Sequence, residues 1–180
     1  VGIDATVCWV GFNGECVATM SIVDAPREEA ASVVAGLHNL GLDTVMLTGD
    51  NSQVATAVQR ATGVKREFSE LLPEGKVYHI QHLKATDAGG QKAKQVVMVG
   101  DGVNDAPALA SADLGIAMGK GTVVAMETAD MVLMDSNLRK LTEAVQISRR
   151  TRRTILQNVV FSIGTKAIVL GISMAVYPFL

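Results

Sequence analysis

The sequence predicts an α/β fold, a parallel sheet flanked by helices, followed by a long helix that enters a transmembrane span. Three observations predict it. Short apolar runs alternate with segments of helical periodicity, the pattern of βα units that pair their strands in parallel. Two of those runs lead straight into polar, glycine-containing turns, TGD at 48–50 and GDG at 100–102. The last 26 residues, 155–180, carry a single charge, Lys166.

The elements follow in order. Asn13-Gly14 is a turn signal between apolar runs, so the segment 16–24 closes a hairpin. A helix is expected from Pro26, where a missing N–H costs nothing; Ala30, Val33, Val34, Leu37 and Leu40 recur at helical spacing and Gly41 stops it. TVMLTGD (44–50) reads as a strand running into a polar turn, followed by a helix over 52–61 closed by Gly63. After Pro73 a helix carrying Lys76 runs to about Lys84, and TDAGGQKAKQ (86–95) is an exposed linker. A strand over 96–99 broken by Gly100, a short helix near Pro107, a strand over 114–118, a helix over 123–128 and a strand over 131–134 complete the series. At least four parallel strands with right-handed crossovers are expected. From Asn137 a long helical pattern runs without turn punctuation to Gly164.

Composition narrows the partners. A chain of 180 residues, 48% hydrophobic, can bury a sizeable core, and a net charge of −2 predicts no nucleic-acid partner. The charge is uneven, because RRTRR (149–153) directly precedes the apolar tail. Cys8 and Cys16 lack CxxC spacing and read as small hydrophobes. His79 and His82 share a helix face without a third ligand nearby, which reads as a solvated face. Val1 and Leu180 do not look like natural termini, so the chain is expected to be a fragment of a longer protein.

In a parallel sheet, ligands bind beyond the carboxyl ends of the strands. Thr48, Gly49, Asp50, Asp101 and Asp105 all follow strands and should gather on that edge. Carboxylates beside glycines suit a hard cation that also touches phosphate: Mg²⁺ takes oxygen ligands and keeps several waters, so one or two carboxylates suffice. Backbone N–H groups around TGD can receive phosphate oxygens, and Lys76 can offset charge on a transferring phosphoryl group. The plainer alternative makes Asp101, Asn104 and Asp105 turn formers.

LTGDN (47–51), LLPEGK (71–76) and MVGDGVNDAPALASADLGIAMG (98–119) together resemble the second half of the phosphorylation domain of P-type ATPases, which has a haloacid-dehalogenase-like, Rossmannoid fold. The resemblance runs from about Ile22 to the chain end. It implies that Thr48, Gly49 and Lys76 act on phosphate, that Asp101 and Asp105 face Mg²⁺, that Asn104 and Asp105 hold the site together, and that Asp50 belongs to the catalytic set. It also implies ATP as substrate, bound mainly by a nucleotide-binding domain outside this chain. In the family an aspartate of a DKTGT motif accepts the phosphoryl group, splitting hydrolysis into two steps. No DKTGT occurs in these 180 residues, so the chain alone should not form a phosphoenzyme.

METADMVLMDSNLRKL (126–141) followed by RRTRRTILQNVVFSIGTK resembles the heavy-metal branch of those ATPases. The implied organisation is the end of the phosphorylation domain at 1–140, a basic cytosolic helix at 141–154 and a membrane helix at 155–180. Arginines at the boundary fit the retention of positive residues on the cytosolic side. A lysine near the bilayer centre costs about 2.5 to 3.5 kcal/mol, so Lys166 should face an interior with an acidic partner. Gln157, Asn158, Ser162 and Lys166 resemble the QNxxxSxxxK context of zinc, cadmium and lead exporters, in which the lysine is a built-in counter-ion. The expected whole is a multi-pass membrane protein, cytosolic before about residue 154, whose partners are the transported divalent metal ion, the lipid bilayer and the rest of its own chain. The alternatives are a copper-transporting member, a soluble phosphatase of the haloacid dehalogenase type, and a non-catalytic membrane regulator. A soluble phosphatase has no use for the apolar tail, and a regulator would have eroded site positions.

Overall fold

Asn13 and Gly14 both take positive φ, 51° and 85°. That is the backbone a two-residue hairpin turn needs, so β1 (Thr6–Phe12) folds back antiparallel on β2 (Glu15–Ile22), with one register shift at Val10/Gly11. We describe a computed structural model covering residues 6–22, 25–85, 95–100, 103–119, 123–135 and 137–176. The chain forms two compact units, Val1–Lys140 and Leu141–Leu180. The expected hairpin is present, and among the described residues it pairs with no other strand. Trp9, Phe12, Val17 and both free cysteines are exposed on it, so Cys8 and Cys16 are not packed as small hydrophobes would be.

The first unit continues with α1 (Ala30–Asn39), which begins four residues later than Pro26. Residues 28 and 29 form a turn, Ala30 N donates to Arg27 O at 2.9 Å, and no side chain caps the helix. The first orphan N–H groups are met by that turn rather than by a side chain of Glu29. Gly41, at φ 73°, ends the helix as expected, with Leu42 N closing back on Leu37 O at 3.0 Å.

Among the described residues five strands run parallel, in two ladders. β3 (Val45–Leu47) pairs with β4 (Arg66–Phe68), a strand the sequence did not announce, since three residues reading REF carry neither alternation nor an apolar run. Between them lies α2 (Ser52–Thr62), capped by Asn51 Oδ1, which accepts Val54 N at 2.9 Å, and stopped by Gly63 at φ 77°. α3 (Pro73–Ala85) then leads to β5 (Val97–Gly100); the linker expected at 86–95 lies, but for Gln95, outside the described residues. A 3₁₀ turn (Val103–Asp105), α4 (Ala106–Ser111), β6 (Leu114–Met118), α5 (Val123–Thr128) and β7 (Met131–Leu133) follow.

The second ladder is ordered β5-β6-β7, which makes β6 the inner strand. Ile116, Ala117 and Met118 are accordingly buried, as a strand paired on both sides and covered on both faces requires. Ala108 and Leu109 of α4 supply the cover. A Cβ on Gly115 would stand 2.8 Å from Leu109 O, so a glycine there is what lets α4 lie so close to β6. The fold class is therefore the expected one, a parallel sheet flanked by helices, with a long apolar helix after it.

That helix, α6 (Arg139–Val176), runs 38 residues straight through Gly164. Its first turn is set by Asn137, whose Oδ1 accepts Arg139 N at 3.0 Å. Within the second unit, residues 151–163 and 165–174 are all exposed, including Phe161, Ile163, Ile168, Val169 and Leu170. By length and by a mean hydropathy of 1.6 it can cross a membrane, and none of its apolar window is buried by protein.

Candidate functional site

The site is built from three loops that leave the sheet at strand carboxyl ends. The first is the TGD turn after β3. Thr48 N extends the ladder by donating to Phe68 O at 3.0 Å, and Thr48 O accepts Leu71 N at 3.0 Å. Asp50 O accepts Glu70 N at 2.8 Å, with Glu70 at φ 57°. Within the turn, Thr48 Oγ1 donates to Asp50 Oδ2 at 2.7 Å and accepts Asp50 N at 3.1 Å. Asp50 therefore fixes the hydroxyl of Thr48, which the spacing alone did not disclose. Gly49 is exposed, and a Cβ there would stand 3.3 Å from Leu71 O, so the turn lies closer to the start of α3 than a side chain at this position would comfortably allow.

The second loop runs from Leu71 into α3. Because Leu71 is tied to Thr48, the TGD turn and the start of α3 are neighbours, and Lys76 sits in the first turn of that helix. Lys76 Nζ donates to Asp105 Oδ1 at 2.7 Å, and the two side chains are only 15% and 14% exposed. Two opposite charges this far from water hold each other firmly, since either alone would be left poorly solvated.

The third loop follows β5. Gly100 was expected to break that strand; instead it is the buried last residue of β5, paired with Ala117. The reason is Asp105. A Cβ at residue 100 would lie 2.8 Å from Asp105 Cβ and 2.9 Å from Asp105 Oδ2, so the carboxylate packs into the space glycine leaves. Asn104 is exposed beside it. Asp101, expected as a Mg²⁺ ligand, lies outside the described residues, and among the described residues no three His, Cys, Asp or Glu side chains group as a metal centre. The structure pairs Thr48 with Asp50 and, separately, Lys76 with Asp105; with Asn104 these side chains offer oxygen and amide donors without thiolate or imidazole. That chemistry fits a hard cation such as Mg²⁺.

A second pair on α3 had no sequence signal. Lys84 Nζ bonds Ser111 O at 3.1 Å and Asp113 Oδ1 at 3.0 Å, while Asp113 Oδ2 accepts Val96 N at 2.8 Å. The Val96 N–H, and after it the Lys84 ammonium, hold the Asp113 carboxyl below the usual carboxylate range. Lys76, Ile80 and Lys84 are spaced four residues apart, and Ile80 is 1% exposed. α3 is thus pinned by charge at both ends and by an apolar side chain between them. His79 stacks on Phe68 with ring centroids 4.0 Å apart and His82 on Tyr78 at 6.1 Å, so the two histidines do not converge on one ligand position.

Lys166 is exposed on α6, and among the described residues no carboxylate reaches it.

A family model described as haloacid dehalogenase-like hydrolase matches residues 2–113. A probable copper-exporting P-type ATPase V of Mycobacterium tuberculosis is 42% identical over 175 residues, 96% of this chain and 22% of that protein. The cadmium/zinc-transporting ATPase HMA2 of Oryza sativa is likewise 42% identical, over 96% of this chain and 16% of its own length. A crystal structure of a zinc-transporting PIB-type ATPase in its E2.Pi state superposes with a TM-score of 0.81 at 38% identity, covering 96% of this chain and 27% of that one. The chain thus spans about a fifth of the length of these relatives.

Proposed function

Starting from a chain that belongs to the haloacid dehalogenase-like hydrolases, we propose that it is the part of an ATP-driven heavy-metal exporter that carries a phosphoryl-transfer site and one transport helix. The observation that carries this reading is the largely shielded Lys76–Asp105 pair, which joins the start of α3 to the turn after β5. A chain that also carries an apolar, protein-uncovered α6 has the parts of a pump rather than of a soluble phosphatase. The similarity to copper-exporting and cadmium/zinc-transporting ATPases supports the same class.

In this reading the attacking aspartate comes from another part of the protein and its phosphoryl group docks on the TGD turn. Gly49 N–H and the Thr48 hydroxyl, oriented by Asp50, receive phosphate oxygens. Lys76 offsets the charge that develops on transfer, and Asp105 sets where its ammonium points. Asp101 and Asp105 would hold Mg²⁺, which would supply further positive charge to the site. Asn104 holds the loop. Residues 1–140 then complete the phosphorylation domain, 141–154 form a cytosolic helix and 155–180 a membrane helix.

For the cargo, Lys166 in its QNxxxSxxxK context favours zinc, cadmium or lead over copper. An ammonium in the span competes with a divalent metal for a carboxylate, which aids release and opposes return. The test is Lys166→Met in the whole polypeptide. Zinc-stimulated ATP hydrolysis and zinc transport are expected to fall at least tenfold, about 1.4 kcal/mol of lost coupling. Unchanged zinc stimulation, or stimulation by copper alone, contradicts the zinc assignment.

A further inference from the structure

Arg149, Arg150, Arg152 and Arg153 lie on α6 immediately before the apolar residues that start at Ile155. All four are exposed, and among the described residues none pairs with a carboxylate. Glu143 is the one acidic residue in 139–176, set against seven lysines and arginines. At about 100° per residue the four arginines cover an arc of roughly 160°, nearly half the helix circumference. At about 1.5 Å per residue they occupy roughly 6 Å of axis. The polar layer on one side of a bilayer is about 5 to 8 Å deep, so the band has the height of a headgroup layer.

We propose that the 149–153 band is a binding surface for anionic lipid headgroups. The inference rests on the reading of α6 as a membrane span and adds a partner to it. Charge and position select that partner. A guanidinium bonds two phosphate oxygens at once, and an arginine stem lies along apolar surface while its head stays in the polar layer. Thr151, between the two arginine pairs, is exposed as well, and its hydroxyl suits glycerol and ester oxygens, whereas Thr154 Oγ1 donates to Arg150 O at 3.2 Å. A basic band on a helix remote from any apolar stretch would have no reason to prefer a lipid surface over another polyanion. Here Arg153 is separated from Ile155 by one residue.

The test uses the whole polypeptide reconstituted in an equimolar mixture of phosphatidylcholine and phosphatidylglycerol, with the composition of the co-purifying lipid as readout. Wild-type protein is expected to retain phosphatidylglycerol several-fold over the mixture, with the enrichment falling at high salt. Replacing all four arginines with Gln, an equally good helix former, is expected to return the retained lipid to the mixture's composition. The fourfold Arg→Lys variant should keep most of the enrichment. Equal enrichment in wild-type and Gln protein overturns the inference. Protection of a cysteine introduced by Val160→Cys in the reconstituted protein from a membrane-impermeant maleimide supports the span; its labelling overturns the span and this inference with it.

Discussion

The absence of one methyl group at residue 100 decides where Asp105 sits, and Asp105 decides where Lys76 points. Gly100→Ala places a Cβ 2.8 Å from Asp105 Cβ, so the carboxylate must move off Lys76. A core overfilled in this way loses about 1 to 3 kcal/mol, measurable by chemical denaturation, and phosphoryl transfer by the whole protein should fall with it. Lys76→Met removes the partner of an acid that is only 14% exposed. Leaving such a group unsatisfied costs about 1 to 3 kcal/mol, whereas pairing Lys76→Met with Asp105→Asn should restore part of that stability without restoring activity. A double-mutant cycle by denaturation checks this. The sequence identified Lys76 and Asp105 as chemistry-bearing residues. It did not disclose their ion pair, because 29 positions separate them and only the packing of α3 against the turn after β5 brings them together.

At the scale of elements, α3 is held by Lys76 at one end and by the Lys84–Asp113 contact at the other. Asp113 is held below its ordinary carboxylate range, first by the Val96 N–H and then by Lys84, so its stabilising contribution is present above that range. It is lost as pH falls through the lowered value. The melting midpoint of the chain in detergent should therefore drop on acidification below the ordinary carboxylate range, and Asp113→Asn should flatten that part of the profile; an unchanged profile would show that the contact carries no pH dependence. Gly115→Ala would put a Cβ 2.8 Å from a backbone oxygen of α4, which cannot swing away as a side chain can. Its cost is expected to exceed that of Gly100→Ala in the same denaturation assay. Elements with long apolar or capped patterns, such as α2 and β6, were legible in the sequence almost to the residue. The start of α1 and the whole of β4 were not, because a turn met the orphan N–H groups of α1 and partner pairing alone defines a strand as short as REF.

The whole molecule joins an α/β unit to a helix of 38 residues whose most apolar window no described protein atom buries. The fold class was legible from alternation and from the apolar tail, since both are properties of period and length. The separation of the strands into two ladders was not, because strand order depends on contacts far apart in sequence. The resemblance to metal pumps pointed to Thr48, Lys76 and Asp105; the structure ties the TGD turn to the start of α3 through Leu71 N–Thr48 O, and α3 to the turn after β5 through Lys76–Asp105. The most direct measurement is acid-stable labelling of the whole polypeptide with radioactive ATP, with and without divalent metal. A hydroxylamine-labile acyl-phosphate is expected, its formation stimulated by zinc and lost in Lys76→Met. An ATP-derived label that resists hydroxylamine, or that forms equally well in Lys76→Met protein, would contradict the phosphoryl-transfer reading.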